Sequence, residues 1–249
     1  MRDIFDYENK YMDLPFEKYQ VGFRRKNIID SLSLYKHNNI LEIGCGLEPL
    51  FKYYDNYNKY FIVEPCELFY NNAVKLSSKK NVVCIKGFFE EVADKLLNEK
   101  IDYIILSSLL HEVEDPLQLL NSIYNICSRD TIVYVNVPNA KSFHRLLAKE
   151  MGIIGSIYQK SDTQKLMQQS NTYDLDLLIK EVNRANFRVL NSGSYFIKPF
   201  THSQMQSCLD ENIFDNKLLD GLDRLIKYMP EYGSEIFVQA CIDEDKVCK

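Results

Sequence analysis

The stretch ILEIGCGLEPL (residues 40–50) runs from a short apolar segment into Gly44 and Gly46, with one acid, Glu42, inside the segment. Glycine has no Cβ, so the backbone can turn sharply there and a ligand can approach the main chain closely. Glu64 follows Gly44 by 20 positions and ends a second apolar run, KYFIVE. An acid at that spacing suits the two hydroxyls of a ribose. Glu42, in an apolar strand end, needs a partner, either backbone amides or a cationic group of a ligand. Together these residues point to a cofactor that contains a nucleoside.

A pyrophosphate site of the G-x-G-x-x-G type wants a third glycine where this chain has Pro49, and Glu48, at the start of the expected helix, would repel a phosphate. No G-x-x-x-x-G-K-[ST] loop occurs. The pattern argues against NAD and FAD and fits a cofactor with a ribose and no phosphate. S-adenosylmethionine is one, and its cationic sulfonium and amino group suit carboxylates near the turn.

These residues need a scaffold. Between residues 39 and 136, apolar runs alternate with amphipathic segments of helical length. The runs NILEI (39–43), KYFIVE (59–64), NVVCIK (81–86), DYIILSS (102–108) and TIVYVNV (131–137) are rich in Val, Ile and Tyr, as strands covered on both faces are. CELFYNNAVKLSS and DPLQLLNSIYNIC have helical spacing. Repeating β-α units imply a parallel sheet with right-handed crossovers, hence a doubly wound α/β fold. Two late strands, 188–197 and 235–242, with one helix between them (DNKLLDGLDRLIKYM), end the sheet in an antiparallel arrangement. A helix over YDLDLLIKEVNRANF has Asp174 as its N-cap. The expected organisation is a single domain over 1–249. Residues 1–38 form a helical cap after Pro15, 39–137 the cofactor-binding core, 150–172 a lid-like insertion without clear periodicity, and 173–242 the completion of the sheet.

Composition bounds the partners. The 249 residues, 46% hydrophobic, suffice for one sizeable core. A net charge of −5 gives no electrostatic reason to expect nucleic acid. No apolar run approaches the ~18–20 residues of a membrane span, and the acidic, aromatic N-terminus lacks the apolar stretch of a signal peptide. The seven cysteines, Cys248 among them, include no C-x-x-C pair and read as reduced thiols of a cytoplasmic protein. The four histidines are scattered, so no metal site is expected. Oligomeric state is open.

In this frame the chain resembles the class I S-adenosylmethionine-dependent methyltransferases over roughly residues 38–140, through LEIGCG, FIVEP, IKGFFEEV (85–92) and SSLLHEVEDP (107–116). VPNAKSFHRLL (137–147) and YDLDLL (173–178) resemble bacterial members of surface-polysaccharide gene clusters and the ubiquinone-pathway O-methyltransferases. The resemblance implies a seven-stranded sheet and a cofactor site at Glu42, Gly44, Cys45, Gly46, Glu64, Pro65, Gly87, Phe88, Phe89, Ser107 and Ser108, with Tyr19, Gln20 and Arg24 closing over it. Where the family often has a third glycine this chain has Glu48, and where it often has Asp this chain has Phe88, so backbone donors and stacking on Phe88 or Phe89 are expected to replace an acidic contact to adenine.

For chemistry, His111 after the fourth strand is the candidate base, since an imidazole with a pKa near ~6.5 suits proton removal from a hydroxyl. The alternative is a histidine that caps the next helix or shapes the pocket. Glu112 is its neighbouring substitute as base, or a solvated acid. His144 and Arg145 face the acceptor, with Arg145 gripping an anionic group, or form a polar helix face. Tyr173 is either a pocket residue or a core aromatic. Tyr19, Gln20 and Arg24 otherwise form a solvated helix face. The resemblance implies methyl transfer to an oxygen of a small acceptor, such as a capsular sugar or a phosphorylated or phosphoramidate intermediate. N- or C-methylation on the same fold, and a non-catalytic cofactor-binding protein, are the alternatives.

Overall fold

The computed structural model describes residues 14–78 and 80–244, and the expected cap before residue 14 and Cys248 lie outside them. Its seven strands are β1 (Asn39–Ile43), β2 (Lys59–Glu64), β3 (Val82–Lys86), β4 (Tyr103–Ser107), β5 (Ile132–Pro138), β6 (Phe187–Tyr195) and β7 (Glu235–Ile242). They form one sheet in the order β3-β2-β1-β4-β5-β7-β6. β7 alone runs against its neighbours, pairing antiparallel with β5 and β6. This is the doubly wound architecture the β-α alternation predicts.

Successive strand residues face opposite sides of a sheet, and two apolar clusters result. One holds Leu41, Ile43, Phe61, Val63, Ile104, Leu106, Val133 and Val135. It is covered by α4 (Pro116–Ile126) through Leu119, Leu120 and Ile123, and by α7 (Leu175–Arg184) through Leu178 and Val182. The other holds Ile40, Tyr60, Ile62, Tyr103, Ile105, Ile132 and Tyr134. It is covered by α1 (Glu17–Leu32) through Ile28 and Leu32, α8 (His202–Asp210) through Met205, and α9 (Asn216–Arg224) through Leu219. Parity has a consequence for the polar residues. Glu42, Glu64 and Asn136 share the parity of Ile40, Ile62 and Tyr134, so all three belong to the α1 side. Because β7 is reversed, its first residue, Glu235, pairs with Pro138 and reaches the same carboxyl edge.

Helix starts follow local chemistry. Asp115 caps α4, its side chain accepting from the Gln118 amide at 3.0 Å, and Pro116 occupies the first turn, where no intrahelical donor is needed. Asp174 caps α7 through the Leu177 amide at 2.9 Å, as the sequence predicts. α2 (Glu67–Ser77) and α3 (Phe89–Val92) follow β2 and β3.

Three sequence expectations need correction. The connection from β1 to β2 carries only a 3-10 turn, Leu50–Lys52, and no α-helix, because Pro49 and the short span leave no room for one. Two helices, α8 and α9, lie between β6 and β7 where one was expected; the capping box of Thr201 and Gln204 starts the first. Residues 150–172 are not structureless, for they contain α6 (Asp162–Leu166), started by a capping box of Ser161 and Gln164. α5 (Phe143–Glu150) precedes this segment. Among the described residues no helix is long and apolar enough to cross a membrane, and no disulfide joins the described cysteines.

The entry to β7 is sterically tight. A Cβ on Gly233 would lie 2.5 Å from the Tyr195 carbonyl oxygen and 2.6 Å from the Tyr195 amide nitrogen, both backbone atoms. Gly233→Ala is therefore expected to destabilise the fold by ~1–3 kcal/mol. Urea denaturation checks this: the midpoint falls at unchanged slope, and an unchanged midpoint shows that the β6–β7 junction yields freely.

Candidate active site

A cavity of about 1310 Å³ opens along the carboxyl edge of the parallel strands, the edge at which open α/β sheets bind ligands. One small-molecule site usually occupies ~300–1,000 Å³, so there is room for two molecules.

One end is built by β1, β2 and their loops. Gly44 and Gly46 take positive φ, 73° and 58°, a region that costs little only for glycine. A Cβ on Gly46 would point into open space, and one on Gly44 would lie 3.1 Å from the Leu109 side chain. The Glu64 carboxylate is buried and ties the two loops together. It accepts from the Gly46 amide at 3.2 Å and from the Cys66 amide at 2.9 Å. Burial raises its pKa, against the pull of those amides. Glu42 accepts from the Tyr60 hydroxyl at 2.8 Å and the Leu50 amide at 3.1 Å. Its burial outweighs both hydrogen bonds and pushes the carboxyl up to about 7. Cys45, Pro65, Phe88, Phe89, Ser107 and Ser108 complete this wall. Ser108 has φ 51°, and its buried hydroxyl has no hydrogen-bond partner among the described residues. Gly87 does not line the cavity; a Cβ there would meet Val92 at 2.8 Å, so its role is to let the chain enter α3 and present Phe88 and Phe89.

Glu48 differs from its expected behaviour. Arg25 and Lys52 both pair with it at 2.8 Å, and the Tyr53 hydroxyl donates to it at 2.7 Å. Its charge is thus neutralised, and the argument against a pyrophosphate rests on Pro49 and on the two buried acids.

His111 and Glu112 line the cavity and are both buried. The His111 Nε2 lies 3.8 Å from Glu112 Oε1. The His111 carbonyl accepts from the Ser170 and Asn171 amides at 3.0 and 2.9 Å, and the Asn171 side chain donates to the Val113 carbonyl. The segment after α6 is thereby pinned to the loop after β4.

A further part of the wall, also on the α1 side of the sheet, centres on Glu235. Glu235 is held by Arg24 at 2.6 and 3.0 Å, by Gln20 at 2.9 Å, by Asn136 at 2.7 Å and by the Tyr195 hydroxyl. Arg24 also donates to Glu17 at 3.2 Å. Gln20 and Arg24 line the cavity, but their polar groups are spent on this network. Tyr19 does not line it, because its ring stacks on Phe16 with centroids 5.4 Å apart.

Two further assignments change. Arg145 lines the cavity, yet its guanidinium donates to the carbonyls of Ile157 and Gln159 and to the Gln164 side chain. It chiefly anchors the 150–172 segment. Tyr173 sits in the core cluster of α4 and α7, and its carbonyl accepts from the Ala140 amide at 2.7 Å. It lies before α7 in a parallel bridge with Asn139, and its ring is in the core and does not line the cavity. The stretches that looked specific have structural work of this kind. Asn139 donates to the carbonyls of Glu231 and Gly233, while Asp174 takes Lys141 at 3.2 Å and the Tyr158 hydroxyl at 2.6 Å.

His144 lies in the cavity wall, and burial together with Lys198, His202 and Arg145 holds its imidazole well below the usual range. Lys198, His202, Glu17 and Glu235 are wall residues that sequence reasoning missed. The available signal was a lone lysine in the apolar run SYFIKPF and an acid opening EIFVQACI. Among the described residues no group of His, Cys, Asp and Glu is arranged to hold a metal.

A family profile described as "Methyltransferase domain" matches residues 21–192, more than half of the chain. The chain belongs to the methyltransferase domain family. No curated protein matches the sequence. Solved structures share the fold of this methyltransferase domain at low identity. A Thermotoga maritima protein, described as a SAM-dependent methyltransferase and possible histamine N-methyltransferase, is 16% identical, with 96% of this chain and 97% of that one covered and a TM-score of 0.61. The plantazolicin methyltransferase BamL, in complex with a triazolic desmethylPZN analog and SAH, is 13% identical over 96% and 89%, TM-score 0.56. The [4+2]-cyclase SpnF is 11% identical over 88% and 79%, TM-score 0.57.

Proposed function

We propose that this methyltransferase domain takes S-adenosylmethionine as its cofactor and transfers the methyl group to an oxygen of a small acceptor. The observation that carries this reading is Glu64, a buried carboxylate bridging the Gly46 and Cys66 amides beside a cavity with room for a second molecule. The residues present fit the cofactor: an open cradle over Gly46, a Ser108 hydroxyl in need of a partner, and two buried acids. Glu64 would hold the ribose hydroxyls, Glu42 the amino group, and Phe88 a face of the adenine. When bound, S-adenosylmethionine supplies a methyl carbon made electrophilic by the sulfonium, whose sulfur keeps the electron pair as the new C–O bond forms.

The protein's part is alignment, exclusion of water and proton removal. For a hydroxyl acceptor, an imidazole nitrogen of His111 takes the proton. For an oxygen that is already anionic, no base is required. The 150–172 segment, held by Arg145 and the His111 carbonyl, acts as the lid, and the 1–249 chain works as a single domain. The acceptor class is a capsular sugar or a phosphorylated or phosphoramidate intermediate; the support is the resemblance of residues 137–147 and 173–178 noted above.

Calorimetry with S-adenosylmethionine and S-adenosylhomocysteine tests the reading, followed by transfer of labelled methyl across hydroxyl, phosphate and amine acceptors. Heat and transfer to oxygen are expected. No heat with either molecule overturns it, and because the [4+2]-cyclase SpnF shares the fold, only observed methyl transfer separates a methyltransferase from another activity or from a binder. Glu64→Ala should weaken cofactor binding by ~1–3 kcal/mol through lost charged hydrogen bonds. Unchanged affinity would place the ribose elsewhere.

A further inference from the structure

Lys198 follows β6, is 3% exposed and lines the cavity. Among the described residues no carboxylate lies within ion-pair distance of it, and its ammonium has one close polar neighbour, His202 Nδ1 at 3.2 Å. A buried ammonium is costly unless it is paired. The acids around it are committed elsewhere: Glu235 is taken by Arg24, Tyr195, Asn136 and Gln20, and Glu17 by Arg24.

The charged groups that act on Lys198 are Glu17 and Arg24 from α1, Arg145 from α5 and Glu235 from β7, with His144 and His202 beside them, and burial lowers the ammonium itself to about 8. Arg145 likewise has no carboxylate within ion-pair distance among the described residues, its donors going to carbonyls and an amide. Three cations against two carboxylates leave one positive charge in excess. Both histidines are pushed toward the neutral form, by burial first and by Lys198 next, His202 to about 3. His144 Nδ1 and His202 Nε2 are buried without hydrogen-bond partners among the described residues, with Glu17 Oε2 3.8 Å from His202 Nε2. A surplus cation, two donor-capable rings and open volume make a receptor for negative charge.

Resting on the methyl-transfer reading of the same cavity, we propose that Lys198, flanked by His144 and His202, is the seat of an oxyanion carried by the methyl acceptor, a phosphate or a carboxylate. The anion supplies the pairing that Lys198 lacks and draws protons onto the two imidazoles. Lys198 thus selects acceptors by charge, independently of the residues that hold the cofactor.

The test uses the full chain saturated with S-adenosylhomocysteine, titrated with inorganic phosphate and, separately, with acetate, followed by calorimetry and by the imidazole NMR signals of His144 and His202. Binding of one of the two anions is expected, with shifts of both imidazoles; which anion binds distinguishes a phosphate from a carboxylate source. Lys198→Met is expected to weaken that binding about tenfold or more with S-adenosylhomocysteine affinity unchanged, whereas Lys217→Met, on α9 outside the cavity, leaves it unchanged. Lys198→Gln replaces the methionine variant if that one does not fold. Normal S-adenosylhomocysteine binding with no anion bound, or with anion binding indifferent to Lys198, overturns the proposal and leaves the methyl-transfer reading standing. Failure to bind S-adenosylhomocysteine overturns both.

Discussion

Replacing His111 by alanine is expected to lower kcat ~10²-fold or more while S-adenosylhomocysteine affinity stays nearly unchanged. The imidazole is buried in the wall of the cavity that Glu42, Gly46, Glu64 and Lys198 also line. Its backbone is fixed by the Ser170 and Asn171 amides, so the alanine variant keeps the carbonyl that pins the lid and loses only the ring. Glu112, 3.8 Å from Nε2, would orient the ring and stabilise its protonated form. A base must be neutral to act, so any acidic limb in the wild-type rate that belongs to this ring should vanish in the variant. Steady-state kinetics over pH 5–9 alongside calorimetry separates these effects. Full activity in His111→Ala would retire the base and favour an acceptor oxygen that is already ionised.

Glu42 is expected to make cofactor binding pH-dependent and to burden the cofactor-free fold. Its carboxyl is raised from 4.5 to about 7 by burial, against the lowering effect of Tyr60 and Leu50. The folded protein therefore retains a proton that the unfolded chain has already released. This group's contribution to stability is fully present below pH 4.5 and is lost as pH rises to about 7. The gap between 4.5 and about 7 corresponds to a loss of about 3 kcal/mol at pH 8. Glu42→Gln keeps the acceptor for Leu50 and a polar partner for Tyr60, so it is expected to raise stability at pH 8 by ~2–3 kcal/mol and to do little at pH 4.5. For binding the sign reverses. A cationic amino group wants the carboxylate, so affinity should climb with pH up to about 7, with proton release, and then level off. The glutamine variant should bind more weakly without that climb. Urea midpoints and calorimetry in buffers of different ionisation heat measure both; a variant no more stable at pH 8 would show that burial does not hold the Glu42 carboxyl above its ordinary value.

Much of the cofactor end is legible in a few consecutive residues. LEIGCG and FIVE combine an apolar strand, an acid of known parity and a turn that glycine permits, and these preferences act within a few residues of chain. The strand order and the fate of longer-range side chains are not local. Arg145 looks like an anion clamp in a linear reading because it follows a strand end, but the 150–172 segment folds back and occupies its donors with carbonyls. Tyr173 looks like a pocket residue, but the bridge it forms with Asn139, 34 positions earlier, sets it in the core cluster.

The surroundings of Lys198 show the division most clearly. The sequence alone determined the β-α alternation, the glycine turn and the two acids on one side of the sheet, because periodicity and steric preference are properties of short stretches. Only the tertiary structure decided that Lys198, His202 and Glu235 meet Gln20 and Arg24, residues up to 215 positions apart. That meeting depends on β7 running backwards between β5 and β6, which carries its first residue to the cofactor edge. Strand direction is fixed by how the whole chain buries its apolar surface, and no single segment encodes it.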